Sequence, residues 1–335
     1  MSDVSSLSIA SLLEKAIRLR ESMFDPRHET AFRLFNGFLE GNSDLAIDLY
    51  AKTLVFHLYS NPPEKGQILL NEAVDYLKQQ LPWIQSAVVK ERYGADVIKK
   101  SGVILFGSKP DRRIFENGVW YSVDLCMNRD ASLYLDTRLL RQWIIQNLKG
   151  KSVLNTFAYT GSLGVAAMAA GASKVVQLER TRKFLNVAKE SYSLNGFLID
   201  RRDFMEGDFW AKVSHLKKRG DLFDCVILDP PFFATSSTGT VDLEENGTRL
   251  INKIRPLIQD GGILIVINNA LFLSGKEHME QMEALCQDGY LKIIERIDVP
   301  PDFAGFSGES ISGQVTDSAP FNHSTKILIF GVKRK

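Results

Sequence analysis

Val153-Leu154-Asn155-Thr156-Phe157-Ala158-Tyr159-Thr160-Gly161-Ser162-Leu163-Gly164 opens a stretch that runs through a small-residue segment to Gly171-Ala172. It closes on Val175-Val176-Gln177-Leu178-Glu179. The pattern is strand, glycine turn, helix, strand, acid. A nucleotide-type ligand needs that order: the turn lets backbone N–H groups approach, and the acid ending the second strand can accept from ribose hydroxyls. About fifty residues on, Asp224-Cys225-Val226-Ile227-Leu228-Asp229-Pro230-Pro231-Phe232 reads as a buried strand that ends in an acid, two prolines and an aromatic. Together they predict a cofactor pocket beside a pocket for a planar substrate.

The rest of the chain frames those two stretches. Its 335 residues exceed one ordinary domain, and 44% hydrophobic residues suffice for full cores. Lys plus Arg is 41 against 40 for Asp plus Glu, a net charge of +1. Any nucleic-acid partner must therefore use a local patch. Cys126, Cys225 and Cys286 lack metal-ligand spacing and are odd in number. With a polar Met1–Ile9 start that does not resemble a signal peptide, they predict reduced thiols and a cytoplasmic location. No apolar run reaches membrane-spanning length, so no membrane partner is expected.

Residues 7–23 have the period of an amphipathic helix, and 31–60 read as strands stopped by Asn61-Pro62-Pro63. Residues 67–80 are helical in period, Ala87–Lys90 is strand-like, and Ser101–Asp111 has linker composition. Asn117-Gly118 between two apolar runs predicts a hairpin. From 136 onward, helices alternate with strands at 152–156, 174–178, 201–204, 224–228 and 262–267, including helices expected at 242–259 and 276–287. The last two strands, 292–299 and 326–333, have no helix pattern between them and should be antiparallel. The expected organisation is a small α+β domain over 1–110, possibly binding substrate or RNA in function, and a Rossmann-like α/β domain over 111–335 that includes the hairpin.

This layout resembles class I S-adenosylmethionine-dependent methyltransferases. Asn155-Thr156-Phe157-Ala158-Tyr159-Thr160-Gly161, Asp229-Pro230-Pro231-Phe232 and Tyr134-Leu135-Asp136-Thr137-Arg138 resemble the bacterial 23S rRNA methyltransferase family with cytosine-C5 and guanine-N7 branches. Ala31–Gly37 through Asp48-Leu49-Tyr50 resembles the small domain preceding catalysis in that family. The resemblance implies S-adenosyl-L-methionine as cofactor and rRNA as partner. It implies a cofactor contact at Arg138, although Thr137 stands where relatives carry Gln. The nucleophilic cysteine of the cytosine branch is replaced by Asn268-Asn269, which looks like the guanine-N7 branch. The sequence is expected to begin on a short helix, with no room for the N-terminal RNA-binding module found in some relatives.

On the cofactor side the candidates are Asn155, Phe157, Tyr159, Thr160, Gly161, Glu179, Asp208 and Arg138; on the catalytic side, Asp229, Pro230, Pro231, Phe232 and Asn268. Gly161 admits close backbone approach, or is a plain strand-to-helix turn. Glu179 accepts from ribose, or pairs with Arg180 or Arg182 at the surface. Asp208 meets the adenine amine, caps the following helix, or does both. Phe184 and Phe209 flank adenine or belong to the core. The Asp229 loop is stiffened by two prolines, with Phe232 or Phe233 free to stack on a base, or it merely turns. Asn268 and Asn269 read a base edge or form a turn. His323 faces the substrate or is structural. Arg92, Lys99, Lys100, Lys109, Arg112 and Arg113 bind RNA phosphates or are a solvated charged segment. Gly161-x-x-Gly164 is no dinucleotide fingerprint, so NAD is not expected, nor is a metal. The leading expectation is methyl transfer to a base nitrogen of large-subunit rRNA. The alternatives are a methyltransferase of a small molecule or protein, and a non-catalytic RNA-binding protein; a monomer and a homodimer are both open.

Overall fold

The computed structural model describes residues 8–236, 239–243, 247–306 and 316–334. The chain forms two compact units, one running to Leu135 and joined by the short helix Pro301–Ala304, the other beginning at Asp136.

In the first unit, five strands lie in chain order: Ala31–Asn36, Leu45–Tyr50, Thr53–Leu58, Ser86–Glu91 and Val103–Phe106. Only Thr53–Leu58 and Ser86–Glu91 pair in parallel, and helix Gln67–Gln80 makes the crossover between them. Helix Ile9–Leu19, capped by Ser8, buries Leu12, Leu13 and Ala16 on the core of Phe32, Phe56, Leu70 and Leu77. The Val103–Phe106 strand occupies the stretch expected to be a linker. Its backbone pairs with Ser86–Glu91 although its side chains are largely exposed, and a partnered apolar edge overrides its flanking Gly and Lys. The hairpin Arg113–Glu116 and Val119–Ser122 forms as expected, with Asn117 at φ 51° and Gly118 at φ 80°. It lies in the first unit.

The second unit carries a seven-stranded sheet. In spatial order the strands are Phe204–Glu206, Lys174–Glu179, Ser152–Thr156, Phe223–Leu228, Ile258–Asn268, Lys326–Val332 and Leu291–Ile297. The first five are parallel, and Lys326–Val332 runs antiparallel to both neighbours, as its lack of a preceding helix predicted. This is the class I methyltransferase fold. Helices on both faces make the strands apolar on both sides. Leu154, Leu178, Val226, Leu228 and Leu264 enter one core; Val153, Val175, Cys225, Ile227 and Ile265 enter the other. Each such side chain contributes roughly 1.5–3 kcal/mol by leaving water.

One stretch departs from expectation. In place of a single helix over 242–259, Phe233–Ser236 pairs with Gly239–Asp242 as a hairpin. Helix Gly247–Ile254 follows, Arg255–Leu257 makes a tight turn, and the strand begins at Ile258. Pro256 removes an N–H donor and ends the helix early. Among the described residues no helix is long and apolar enough to cross a membrane, and no His, Cys, Asp or Glu cluster could hold a metal ion.

Candidate functional site

Strand order reverses between Ser152–Thr156 and its neighbour Phe223–Leu228, and such a switch point opens a crevice at the carboxyl ends of the strands. The ladder aligns that edge. Glu206 pairs with Glu179, Leu178 with Thr156, Thr156 with Leu228, and Leu228 with Val266. Glu179, Phe157, Asp229 and Asn268 therefore all emerge on one side.

The glycine loop is held in a conformation that L-residues resist. Phe157 has φ 54°, Tyr159 φ 50° and Gly161 φ 77°. Each non-glycine residue in this region costs about 1–2 kcal/mol. What over-determines the loop is visible around it. Both carboxylate oxygens of Glu179 accept backbone N–H groups, Oε2 from Tyr159 at 2.9 Å and Oε1 from Thr181 at 2.9 Å. Ala158 N–H donates to the Leu178 carbonyl at 2.9 Å, and Gly161 N–H to the Ala158 carbonyl at 2.7 Å. A Cβ on Gly161 would lie 2.6 Å from the Ala188 Cβ, so a side chain is excluded there by packing as well as by φ.

Aromatic rings line the glycine edge. Phe157 stacks on Phe209 at 4.6 Å with 22° between planes, and Tyr159 meets Phe184 edge-on at 4.6 Å. Asp208 caps the Phe209–Arg219 helix through a 3.2 Å bond from Ala211 N–H.

At the end of the adjacent strand, Asp229 is half-buried, and no hydrogen bond from a described residue supports its charge. Burial, then the nearby Asp136 carboxylate, push its pKa up to about 7. Asp136 is itself fixed by a 3.0 Å bond from Thr325 Oγ1. Pro230 is buried and Pro231 exposed, while Phe232 is 41% and Phe233 57% exposed, a large apolar surface beside a carboxyl group. On the next strand, Asn268 is buried and its Oδ1 accepts from Ala270 N–H at 2.9 Å, the turn-forming role. Its ladder partner Lys326 is buried too, donating to the carbonyls of Ala270 at 2.9 Å and Ser324 at 2.8 Å. Burial pushes the Lys326 ammonium down to about 8.

A family model described as S-adenosylmethionine-dependent methyltransferase matches residues 33–311. The chain belongs to the S-adenosylmethionine-dependent methyltransferase family. Among relatives of this methyltransferase, YwbD of Bacillus subtilis is 30% identical over 303 residues, covering 89% of this chain and 76% of that protein. The ribosomal RNA large subunit methyltransferase I of Photobacterium profundum is 30% identical over 278 residues, covering 80% of this chain and 68% of that protein. The crystal structure of SMU.776 complexed with SAH shares the fold at a TM-score of 0.82 and 22% identity, covering 99% of this chain and 83% of that one.

The methyltransferase uses S-adenosyl-L-methionine, and its glycine edge suits that group: a loop without Cβ at Gly161, paired aromatic rings, and no pyrophosphate fingerprint. The individual expected residues fall into two sets. Phe157, Tyr159, Gly161, Glu179 and Asp208 lie along the glycine edge, and Asp229, Phe232 and Asn268 along its continuation. Thr160 is buried, and Arg138 is half-buried in the first turn of helix Arg138–Asn147. Asn155 points into the interior. It is buried, and its Nδ2 donates to Gln177 Oε1 at 2.8 Å while Gln177 Nε2 donates to the Gly161 carbonyl at 3.2 Å. Asn155 thus props the loop from beneath, in a chain completed by Gln177. Gln177, Asp136 and Lys326 were not singled out from sequence. The signal for Gln177 was two amides at matched ladder positions, Asn155 opposite Gln177. His323 serves the backbone: its Nδ1 accepts from Thr325 N–H at 3.0 Å. In the first unit the basic stretch is largely compensated. Arg112 pairs with Asp124 at 2.9 Å, Lys99 with Glu91 at 3.3 Å, and Arg113 lies over Trp120 at 4.5 Å.

Proposed function

We propose that this methyltransferase methylates a base nitrogen in large-subunit rRNA, with guanine N7 ahead of an exocyclic amine. The observation that carries the reading is Asp229, a carboxyl group at the switch point without a donor among the described residues, beside exposed Phe232 and Phe233. A planar base can stack on either ring and offer an N–H to the carboxylate. The relative named as a ribosomal RNA large subunit methyltransferase supports the choice of RNA.

S-adenosyl-L-methionine, when bound, supplies an electrophilic methyl group on a sulfonium. The chain's work is positioning and electrostatics. Glu179 offers its remaining lone pairs to the ribose hydroxyls, since each oxygen spends one on a backbone amide. Phe157, Phe209 and Phe184 supply apolar surface to adenine, and Asp208 an acceptor for its amine. Guanine N7 would accept that methyl group through its lone pair, so the positive charge would end on the base with no proton to release. An ionised Asp229 beside that base stabilises the transferred charge. Asn268 Nδ2, without a partner among the described residues, can donate to guanine O6.

Carbon-5 of a pyrimidine is a weak nucleophile and needs a thiolate added to the ring first. Cys225 is fully buried with its thiol pushed up by burial, and Cys286 is likewise shifted upward. That supports nitrogen. The test is mass-spectrometric mapping of rRNA methylation with and without the gene, followed by transfer from labelled cofactor in vitro. An rRNA map identical in the two strains would refute the substrate assignment.

A further inference from the structure

Helices Phe209–Arg219 and Gly247–Ile254 face each other across a cleft of about 540 Å³ on the flank of the catalytic sheet. Its lining includes Trp210, Ser214, Lys217, Arg249, Asn252 and Lys253, three cations with no acid among the described lining residues. The Arg249 guanidinium lies 4.9 Å and the Lys253 ammonium 5.9 Å from the Trp210 ring centre. Lys253 donates to Ser214 Oγ at 2.8 Å, and Ser214 in turn to the Trp210 carbonyl at 2.8 Å. None of the three cations forms an ion pair with a described carboxylate. The Lys253 ammonium is held below its ordinary pKa by burial, then by Lys217 and Arg249. Trp210 is 8% exposed, and its indole N–H is buried beside Gly239 with no hydrogen-bond partner among the described residues.

Three like charges crowded into one concavity repel each other, and an indole face offsets only part of that repulsion. A multi-oxygen anion satisfies the whole set, since one guanidinium fork and two ammonium groups line the same cleft. A carboxylate has two oxygens and would leave donors unused. The cleft's position also bears on the source of the anion. Trp210 follows Phe209, which stacks on the glycine loop. Helix Gly247–Ile254 follows the hairpin that grows out of the Asp229 loop.

We propose that Lys217, Arg249, Lys253 and Trp210 form a phosphate-binding cleft that takes a backbone phosphate of the RNA whose base enters at Asp229. The choice of RNA rests on the function proposed above; the phosphate chemistry rests on the cleft alone.

The test uses the full chain, a fluorescein-labelled oligouridylate and, separately, inorganic phosphate. In the Arg249→Gln/Lys253→Gln double variant, oligouridylate affinity near 100 mM KCl should fall on the order of tenfold. The slope of log K against log [KCl] should shrink by about 1–2, since each phosphate contact contributes ~0.7 on a single strand. Unchanged affinity for S-adenosylmethionine certifies the fold. If the slope stays put while phosphate raises the melting temperature of the wild type but not of the double variant, the cleft serves a small anion and the RNA assignment is overturned. If neither readout differs between the two proteins, the cleft itself is refuted. A wild type that binds oligouridylate through these residues yet leaves rRNA unmethylated sinks the function reading and sustains the cleft.

Discussion

In the proposed function, Asp229 would set stability against activity. Its folded pKa, pushed up to about 7, lies above the ordinary 3.8, so the fold favours the protonated acid. The ionised form is therefore destabilising, a penalty that grows from about pH 4 and is complete above pH 7. Asp229→Asn removes it. The variant should match the wild type near pH 4 and exceed it at pH 8 by on the order of 1–3 kcal/mol, read by thermal denaturation at the two pH values. The same change should lower methyl transfer on the order of 100-fold, and wild-type kcat/KM should rise through pH 7 as the acid ionises. Full turnover in the Asn variant would make the loop merely structural. At Glu179 both carboxylate oxygens already accept backbone N–H groups before any ligand arrives. Glu179→Ala should weaken S-adenosylmethionine binding by about 1–3 kcal/mol. Glu179→Gln should fall between, since one of its two terminal atoms still accepts. Calorimetry that finds the wild-type affinity in both folded variants removes Glu179 from the ribose.

Among the elements, those with a local chemical stop were legible from sequence, and those defined by a distant partner were not. Helix Phe209–Arg219 was bounded by its Asp208 cap and by Gly220 at φ 74°, both visible in the chain. The Asn117-Gly118 hairpin carries its own turn signal. Val103–Phe106 has none, and becomes a strand because Ser86–Glu91 offers it hydrogen bonds. Asn155 was expected at the ligand because it abuts the glycine turn. Strand alternation puts it on the face of Val153, where its ladder partner Gln177 waits, and no local pattern reveals a partner two elements away. That buried strut is tight. A Cβ on Gly164 would fall 2.1 Å from Gln177 Nε2. Gly164→Ala should therefore destabilise the second unit by about 1–3 kcal/mol and loosen the loop above it, measurable as a lower melting temperature with weaker cofactor binding. A variant as stable as the wild type, binding cofactor equally well, would show that Gln177 can move aside without consequence.

Across the whole molecule, the placement of sulfur bears on the nitrogen chemistry proposed for this fold. The strand alternation after residue 152 was enough to anticipate the sheet, because parallel strands covered on both faces must be apolar throughout. The thiols needed the structure. Cys126 belongs to the first unit, where burial raises its pKa against the pull of Lys90. Cys225 sits mid-strand in the sheet core, and Cys286 ends helix Gly275–Cys286, with burial the largest upward influence on its thiol too. In the second unit neither cysteine is on the carboxyl edge that carries Glu179, Asp229 and Asn268, and a thiol held protonated is a poor nucleophile. A direct displacement by a base nitrogen needs none of them. Replacing all three with Ser or Ala, choosing Ala at buried Cys225, should leave methyl transfer within about twofold of wild type. The stability cost should be about 1–2 kcal/mol, mostly from the volume lost at Cys225. The product identifies the atom independently of the variant, because a 7-methylguanine and a 5-methylpyrimidine separate as nucleosides before mass analysis. A folded cysteine-free protein without activity, or a 5-methylpyrimidine from the wild type, would overturn the nitrogen assignment.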